Sequence, residues 1–403
     1  MDENRIFLNI KSFFKDLSKK NAFKVFTSVL MSILFGLLIG FLILLISNPG
    51  TSFRALGGIL AGAFGDPKSV GVGIGDLLYY ATPILLTGLS VGFAFKTGLF
   101  NIGAAGQFMV GQYAALVVAF YGSGLGPFQW VVAILAGIIA GALWGFIPGF
   151  FKAIFNVNEV ITSIMFNYIG MYLTNILIKS DRTIFDITRH ETHHMSRDAF
   201  IPKLGMDKLF PGSRADMGFL IAVLIAITLY LVLNRTKFGF ELKGVGYNRH
   251  AARYAGINEK KSIILSMTIA GALAALGGAL KMLAPGTHYV GNTLSAEEVL
   301  ASEGFNGIPV ALLGLSNPIG IIFSALFITY IQRGGFYVQS IVMIEIIDII
   351  TAIIIYFSAF ALAFRIFIAK RVQKKKAEAE LANENSEEVD IIPLHKDEEV
   401  RNE

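Results

Sequence analysis

The chain has 403 residues, of which 54% are apolar and only 16% charged, with a mean hydropathy of +0.62; an ordinary soluble domain carries about 25% charged residues. That excess of apolar surface excludes a single soluble core and predicts an all-α, polytopic membrane bundle, because helices satisfy their own backbone in lipid. The absence of cysteine excludes disulfides, thiol nucleophiles and thiolate metal sites, and the net charge of +5 sits beside apolar runs rather than in a patch for nucleic acid.

Residues 1–24 form a polar, basic N-terminal segment. The apolar run 25–46 is long enough to cross a bilayer and lacks a small-residue cleavage site, so it reads as a retained first span. A glycine-rich segment, 49–75, is expected at the interface or dipping inward. Further spans are expected at 76–95, 102–121, 128–151 and 160–178, then a long polar loop, 179–216. Span six is placed at 217–233, a basic connector at 234–261, and span seven at 262–283. Spans eight and nine (301–315 and 319–332) are short, and span ten covers 340–368. The total is about ten, including broken or re-entrant segments.

Lysines and arginines set the orientation. Clusters precede span one (Lys11, Lys15, Lys19, Lys20, Lys24), fill the connector (Arg235, Lys237, Lys243, Arg249, Arg253, Lys260, Lys261) and follow span ten (Arg365, Lys370, Arg371). An even number of spans puts all three on the cytoplasmic side. Both termini are then cytoplasmic, 25–369 is the transmembrane domain, 179–216 an extracellular loop and 234–261 a cytoplasmic region. The charged tail, 370–403, has too few apolar residues to fold alone, and its basic start suits anionic lipid head groups.

Small residues recur every fourth position at Gly137, Gly141, Gly145 and Gly149, and at Ala270, Ala274 and Gly278, which predicts close helix packing. His190-Glu191-Thr192-His193-His194 fits the H-E-x-x-H zinc pattern. It lies in a polar loop between Arg189 and Arg197 without an evident third ligand, so no metal site is expected there. No phosphate-binding G-x-x-x-x-G-K-[ST] loop occurs, so the chain is not expected to hydrolyse ATP.

Proline and glycine breaks concentrate at 83–111 and 304–320, one in each half of the chain, and breaks at membrane depth need protein or a wet cavity beside them. The polar residues there, Asn101, Gln107, Asn167, Glu303 and Asn306, are candidates for lining a passage, or else for helix-to-helix hydrogen bonds. Glu345 and Asp348 share one face of span ten, with Lys281 as a possible partner. They suit either an ion-coupled carrier or a buried ion pair.

The connector segment Asn248-Arg249-His250-Ala251-Ala252-Arg253-Tyr254-Ala255-Gly256 reads as a short helix. Ala251, Ala252 and Ala255 give a smooth face, Arg249 and Arg253 flank it and Gly256 ends it, which suits docking in another protein's groove or an ordinary loop. This pattern resembles the coupling helix of ABC importer permeases of the simple sugar, nucleoside and branched-chain amino acid branch. The segments Gly98-Leu99-Phe100-Asn101-Ile102-Gly103-Ala104-Ala105-Gly106-Gln107 and Gly304-Phe305-Asn306-Gly307-Ile308-Pro309-Val310 resemble two further motifs of that branch, in order, and the first points to its nucleoside-type permeases. Ala105 and Pro309 depart from the pattern, which usually has an acidic residue and alanine there. The resemblance implies a permease subunit in a cell membrane, most simply a bacterial one, that carries nucleosides or simple sugars. It implies ABC ATPase subunits that bind ATP and magnesium, a second homologous permease and an extracellular binding lipoprotein. No cofactor is expected in this chain.

Overall fold

The computed structural model describes residues 21–359 together with Lys370 and Arg371, so residues 1–20 of the expected N-terminal segment, the end of span ten and the tail from 372 onward lie outside the described residues. The chain divides into two compact units: residues 36–358, and residues 1–35 with 359–403. Of the second unit the described residues are helical 21–35, Ala359, Lys370 and Arg371.

A helix stands at each expected span position. In order these are α1 (Asn21–Ser47), α2 (Ser52–Ala61), α3 (Val70–Lys96), α4 (Ala104–Tyr121), α5 (Gln129–Phe155), α6 (Glu159–Ser180) and α7 (Gly218–Arg235), where α2 occupies the glycine-rich segment. Then come α8 (Lys237–Tyr247), α9 (Arg249–Tyr254), α10 (Glu259–Met282), α11 (Ser302–Leu313), α12 (Pro318–Tyr337) and α13 (Ile344–Ala359). Among the described residues seven helices are long and apolar enough to cross a membrane. The 12 residues of α11 reach only about 18 Å, short of the roughly 30 Å hydrocarbon core. The strands β1 (Phe185–Asp186) and β2 (Glu191–Thr192) form the single antiparallel ribbon among the described residues.

Glycine decides how closely the central helices approach. A Cβ on Gly141 of α5 would collide with Ala275 of α10, and one on Gly145 with the Met267 carbonyl. Gly137 and Gly149 lie against Ala279 and Met267. The α10 stripe that meets α5 is therefore Met267, Gly271, Ala275 and Ala279, adjacent to the expected close-packing residues Ala270, Ala274 and Gly278. Those face other helices: the Ala270 carbonyl accepts from Ser90 Oγ of α3 at 2.6 Å, and Gly278 meets the Phe108 carbonyl of α4. Helices α3 and α10 are the buried centre, whereas α5 and α7 leave most of their apolar surface exposed, as lipid-facing helices do. A second cluster, with Leu44, Ile59, Ile331, Val338 and Ile347, packs α1, α2, α12 and α13 together.

Candidate functional sites: a capped helical knob and a polar cavity

Helix α9 is one and a half turns closed at both ends. Asn248 Oδ1 accepts from the Ala251 N–H at 3.0 Å, capping the start. Gly256, at φ +81, stops the helix and donates to the Arg253 carbonyl at 3.0 Å. The three alanines do not share a face. Ala252 is 5% exposed and packs with Ala94, Leu99, Ala153, Val245 and Met267, because the helix must seat some side chain on the bundle and the smallest fits closest. Arg249 also turns inward: its Nε donates to Glu259 at 3.0 Å and its Nη1 to Asn156 Oδ1 at 3.3 Å. Ala251, Arg253, Ala255 and Gly256 stay exposed. The outward surface is led by two side chains absent from the expected site, Tyr247 and Tyr254, 90% and 95% exposed. Their signal was available, since two tyrosines bracketing a polar connector make amphipathic anchors.

At the opposite ends of α3, α10 and α12 lies a cavity of about 560 Å³, closed also by α11 and α13. Tyr79, Tyr80 and Phe336 supply aromatic walls, and Lys281, Glu303, Asn306, Thr329, Arg333 and Asp348 supply polar ones. Lys281 is ion-paired with Glu303, so the expected pairing of Lys281 with Glu345 or Asp348 does not form. Arg333 sits 4.7 Å from the Tyr80 ring centre and 4.8 Å from that of Phe336, and donates to the Tyr337 hydroxyl at 2.9 Å. Asp76, 3.6 Å from Arg333, accepts from the Arg214 N–H at 2.9 Å, and Arg214 Nη1 donates to the Tyr80 hydroxyl at 2.6 Å. Glu345 is exposed and off the cavity wall, while Asp348 is on it.

The five passage candidates separate into two groups. Glu303 and Asn306 line the cavity. Asn101 and Gln107 are buried and exchange hydrogen bonds of 2.8 and 3.1 Å, with Asn101 also donating to Ser90 at 2.9 Å. Asn167 accepts from the Gly106 N–H at 2.8 Å and donates to the Ile102 carbonyl at 2.9 Å. These three tie the irregular entry of α4 to α3 and α6. Ala105 is fully buried against Gly304, so an acidic side chain there would have to be accommodated inside the packing.

The H-E-x-x-H stretch is a turn and strand, not a helix. His190 has φ +56, Glu191 and Thr192 form β2, and His193 lies 4.0 Å from Asp186, so the histidines do not share a helix face. The ribbon is stitched to the loop before α11: Glu191 accepts from the Thr293 hydroxyl at 2.7 Å and Thr192 N–H donates to the Leu294 carbonyl at 3.1 Å.

Closely packed spanning helices, a capped knob at one end and a polar cavity toward the other define a multi-pass membrane permease. Residues 73–359 match the family described as branched-chain amino acid transport system/permease component, and the chain belongs to this family. It is 37% identical over 306 residues to the guanosine ABC transporter permease protein NupP of Bacillus subtilis, covering 75% of this chain and 85% of that one. It is 35% identical over 311 residues to the nucleoside ABC transporter permease protein NupB of Lactococcus lactis (76% and 84% covered), and 30% identical over 313 residues to the glucose ABC transporter permease protein TsgB13 of Haloferax volcanii (74% and 79%). No solved structure matches. Membership makes this chain a cell-membrane permease component rather than an enzyme, with ATPase and binding-protein partners. The ion-coupled alternative built on Glu345 and Asp348 finds no support in a family of ABC permeases.

Proposed function

We propose that this chain is the transmembrane subunit of an ABC importer that passes nucleosides across the cell membrane, with simple sugars as the second substrate class. The observation that carries the reading is the exposed pair Tyr247 and Tyr254 beside a capped α9. Large aromatic side chains left in water on a short knob suit insertion into a partner's groove. In this reading the knob lies in the cytoplasm, with region 234–261 around it, and the partner is an ABC ATPase that binds ATP and magnesium. The permease domain is 25–369, the termini 1–24 and 370–403 are cytoplasmic, and loop 179–216 faces an extracellular binding lipoprotein that delivers substrate. The relatives named for guanosine and nucleoside transport support the substrate class, and the glucose permease supports the sugar alternative.

A second, homologous permease completes the passage. Its place is supported by α6, where Tyr168 and Tyr172 stand mid-helix on an exposed apolar face with Ile164, Met165 and Ile169. Neither hydroxyl has a protein partner among the described residues. A tyrosine hydroxyl at the middle of a span is poorly served by hydrocarbon, whereas a subunit interface or a wet passage satisfies it.

The experiment is uptake of labelled guanosine and glucose by cells or vesicles carrying the whole transporter. Vanadate should abolish uptake, and guanosine should be preferred. Uptake that survives vanadate but collapses with a protonophore would reject the ATPase-driven reading. Preference for glucose would transfer the substrate assignment to sugars.

A further inference from the structure

The cavity wall holds polar groups that the protein leaves unsatisfied. Thr329 Oγ1 and Arg333 Nε, four residues apart and so on one face of α12, are buried without a partner among the described residues, their residues 1% and 9% exposed. Such groups cost free energy, and these two are closed off from the cavity as well as from protein partners. The Asn306 amide and Asp348 carboxylate also line the cavity, and neither has a hydrogen-bond or ion-pair partner among the described residues.

Charge restricts what can enter. The lining cations are Lys281 and Arg333 and the lining anions Glu303 and Asp348, so the ionised wall is neutral. Neither cation is free: Lys281 is held by Glu303, and Arg333 lies 3.6 Å from Asp76. A phosphate dianion would be desolvated there beside two carboxylates, with both lining cations already engaged by carboxylates. A neutral solute with hydroxyls and ring acceptors meets every open group. The Asn306 amide offers it a donor and an acceptor, and its hydroxyls donate to Asp348, a recurrent way for a carboxylate to hold ribose. Tyr79, Tyr80 and Phe336 give apolar faces for a base. The volume of about 560 Å³ lies within the range of small-molecule sites.

We propose that this cavity is a binding site for an intact, unphosphorylated nucleoside inside the permease itself, with Asp348 and Asn306 as its recognition groups. It rests on the nucleoside reading above and adds a holding site within this chain. Exclusion of nucleotides follows from the neutral wall.

The test is equilibrium binding of labelled guanosine to the full chain in nanodiscs with its ATPase subunits and without binding lipoprotein. Guanosine should bind saturably, unlabelled guanosine should compete, and guanosine 5′-monophosphate should compete at least tenfold less well. Asp348→Asn and Asn306→Ala should each weaken binding roughly tenfold, the effect of losing one hydrogen bond to a charged or buried partner. Asp348 is exposed and unpaired, so its replacement should spare the fold, which ATPase co-purification checks independently. Absence of saturable binding in assembled protein, equal competition by the monophosphate, or indifference to both substitutions would overturn the site. Those results beside intact vanadate-sensitive guanosine uptake would remove only the holding site. Absence of guanosine uptake would remove the nucleoside reading beneath it.

Discussion

Gly246 and Gly98 lie backbone to backbone: a Cβ on Gly246 would collide with the Lys96 carbonyl, and one on Gly98 would stand 3.2 Å from the Gly246 Cα. The end of α8, immediately before the α9 knob, is thereby pressed onto the end of α3, the most buried of the candidate spanning helices. Gly98 also has φ +72, which favours glycine over any other residue. In the proposed coupling, a push on the knob would reach α3 through this backbone contact. Gly246→Ala should therefore lower uptake several-fold while the ATPase still co-purifies, with a stability loss on the order of 1–3 kcal/mol from overpacking. Uptake and ATPase turnover measured on one preparation check this; wild-type coupling in the variant would rule out a tight contact.

Under the proposed docking, exposure separates docking residues from packing residues at the end of α8 and on α9. Tyr247→Ala and Tyr254→Ala remove side chains that touch little of the permease, so its melting temperature should hold. ATPase affinity should fall by about 2 kcal/mol each, roughly thirtyfold, as for aromatic anchors at interface centres. Ala252→Asp should do the reverse and destabilise the permease itself, because the carboxylate would be buried against Ala94, Leu99 and Met267. Co-purification and thermal melts on the three variants distinguish these outcomes.

The same comparison shows what was readable from the residues. Helices stand where the apolar runs are because hydropathy is a long-range average, while among the described residues seven of them are long and apolar enough to cross a membrane. The knob's boundaries were legible because Asn248 and Gly256 are capping residues with short-range mechanisms. The inward turn of Ala252 was not, since a helix of six residues takes its rotation from its neighbours. Which α10 residues meet α5 was hidden for a related reason: α3, α4 and α5 all contact α10, and small residues occur on every side. Among the polar candidates, Asn101 and Gln107 satisfy one another, which six residues of separation across an irregular helix entry do not reveal. Arg333 carries a signal of its own in the sequence, a cation beside an apolar run.

The buried amide pair tests whether the segment around Asn101 acts through packing. Asn101→Ala would leave the Gln107 amide buried and short of a partner, at a cost of about 1–3 kcal/mol. Its melting temperature should drop. The double replacement Asn101→Leu with Gln107→Leu should recover part of that loss, because no orphan remains. A single substitution that reduces uptake without lowering the melting temperature would instead assign Asn101 to the passage.

Asp216, in the loop before α7, gives the fold a pH dependence outside the membrane. Burial pushes its carboxyl up from 3.8 to about 7, against the Gly218 N–H that donates to it at 2.7 Å and the charge of Lys203. The folded state thus binds the Asp216 proton more tightly than the unfolded chain. Its contribution is fully present below about pH 4, is lost progressively as pH rises toward 7, and stays lost above that. Asp216→Asn keeps an acceptor for Gly218 and removes the charge. The variant should melt higher than the wild type at pH 8, match it near pH 4, and show a flatter profile between. Thermal melts of detergent-solubilised protein across that range measure the difference, and parallel profiles for the two proteins would show that the buried carboxyl does not set it.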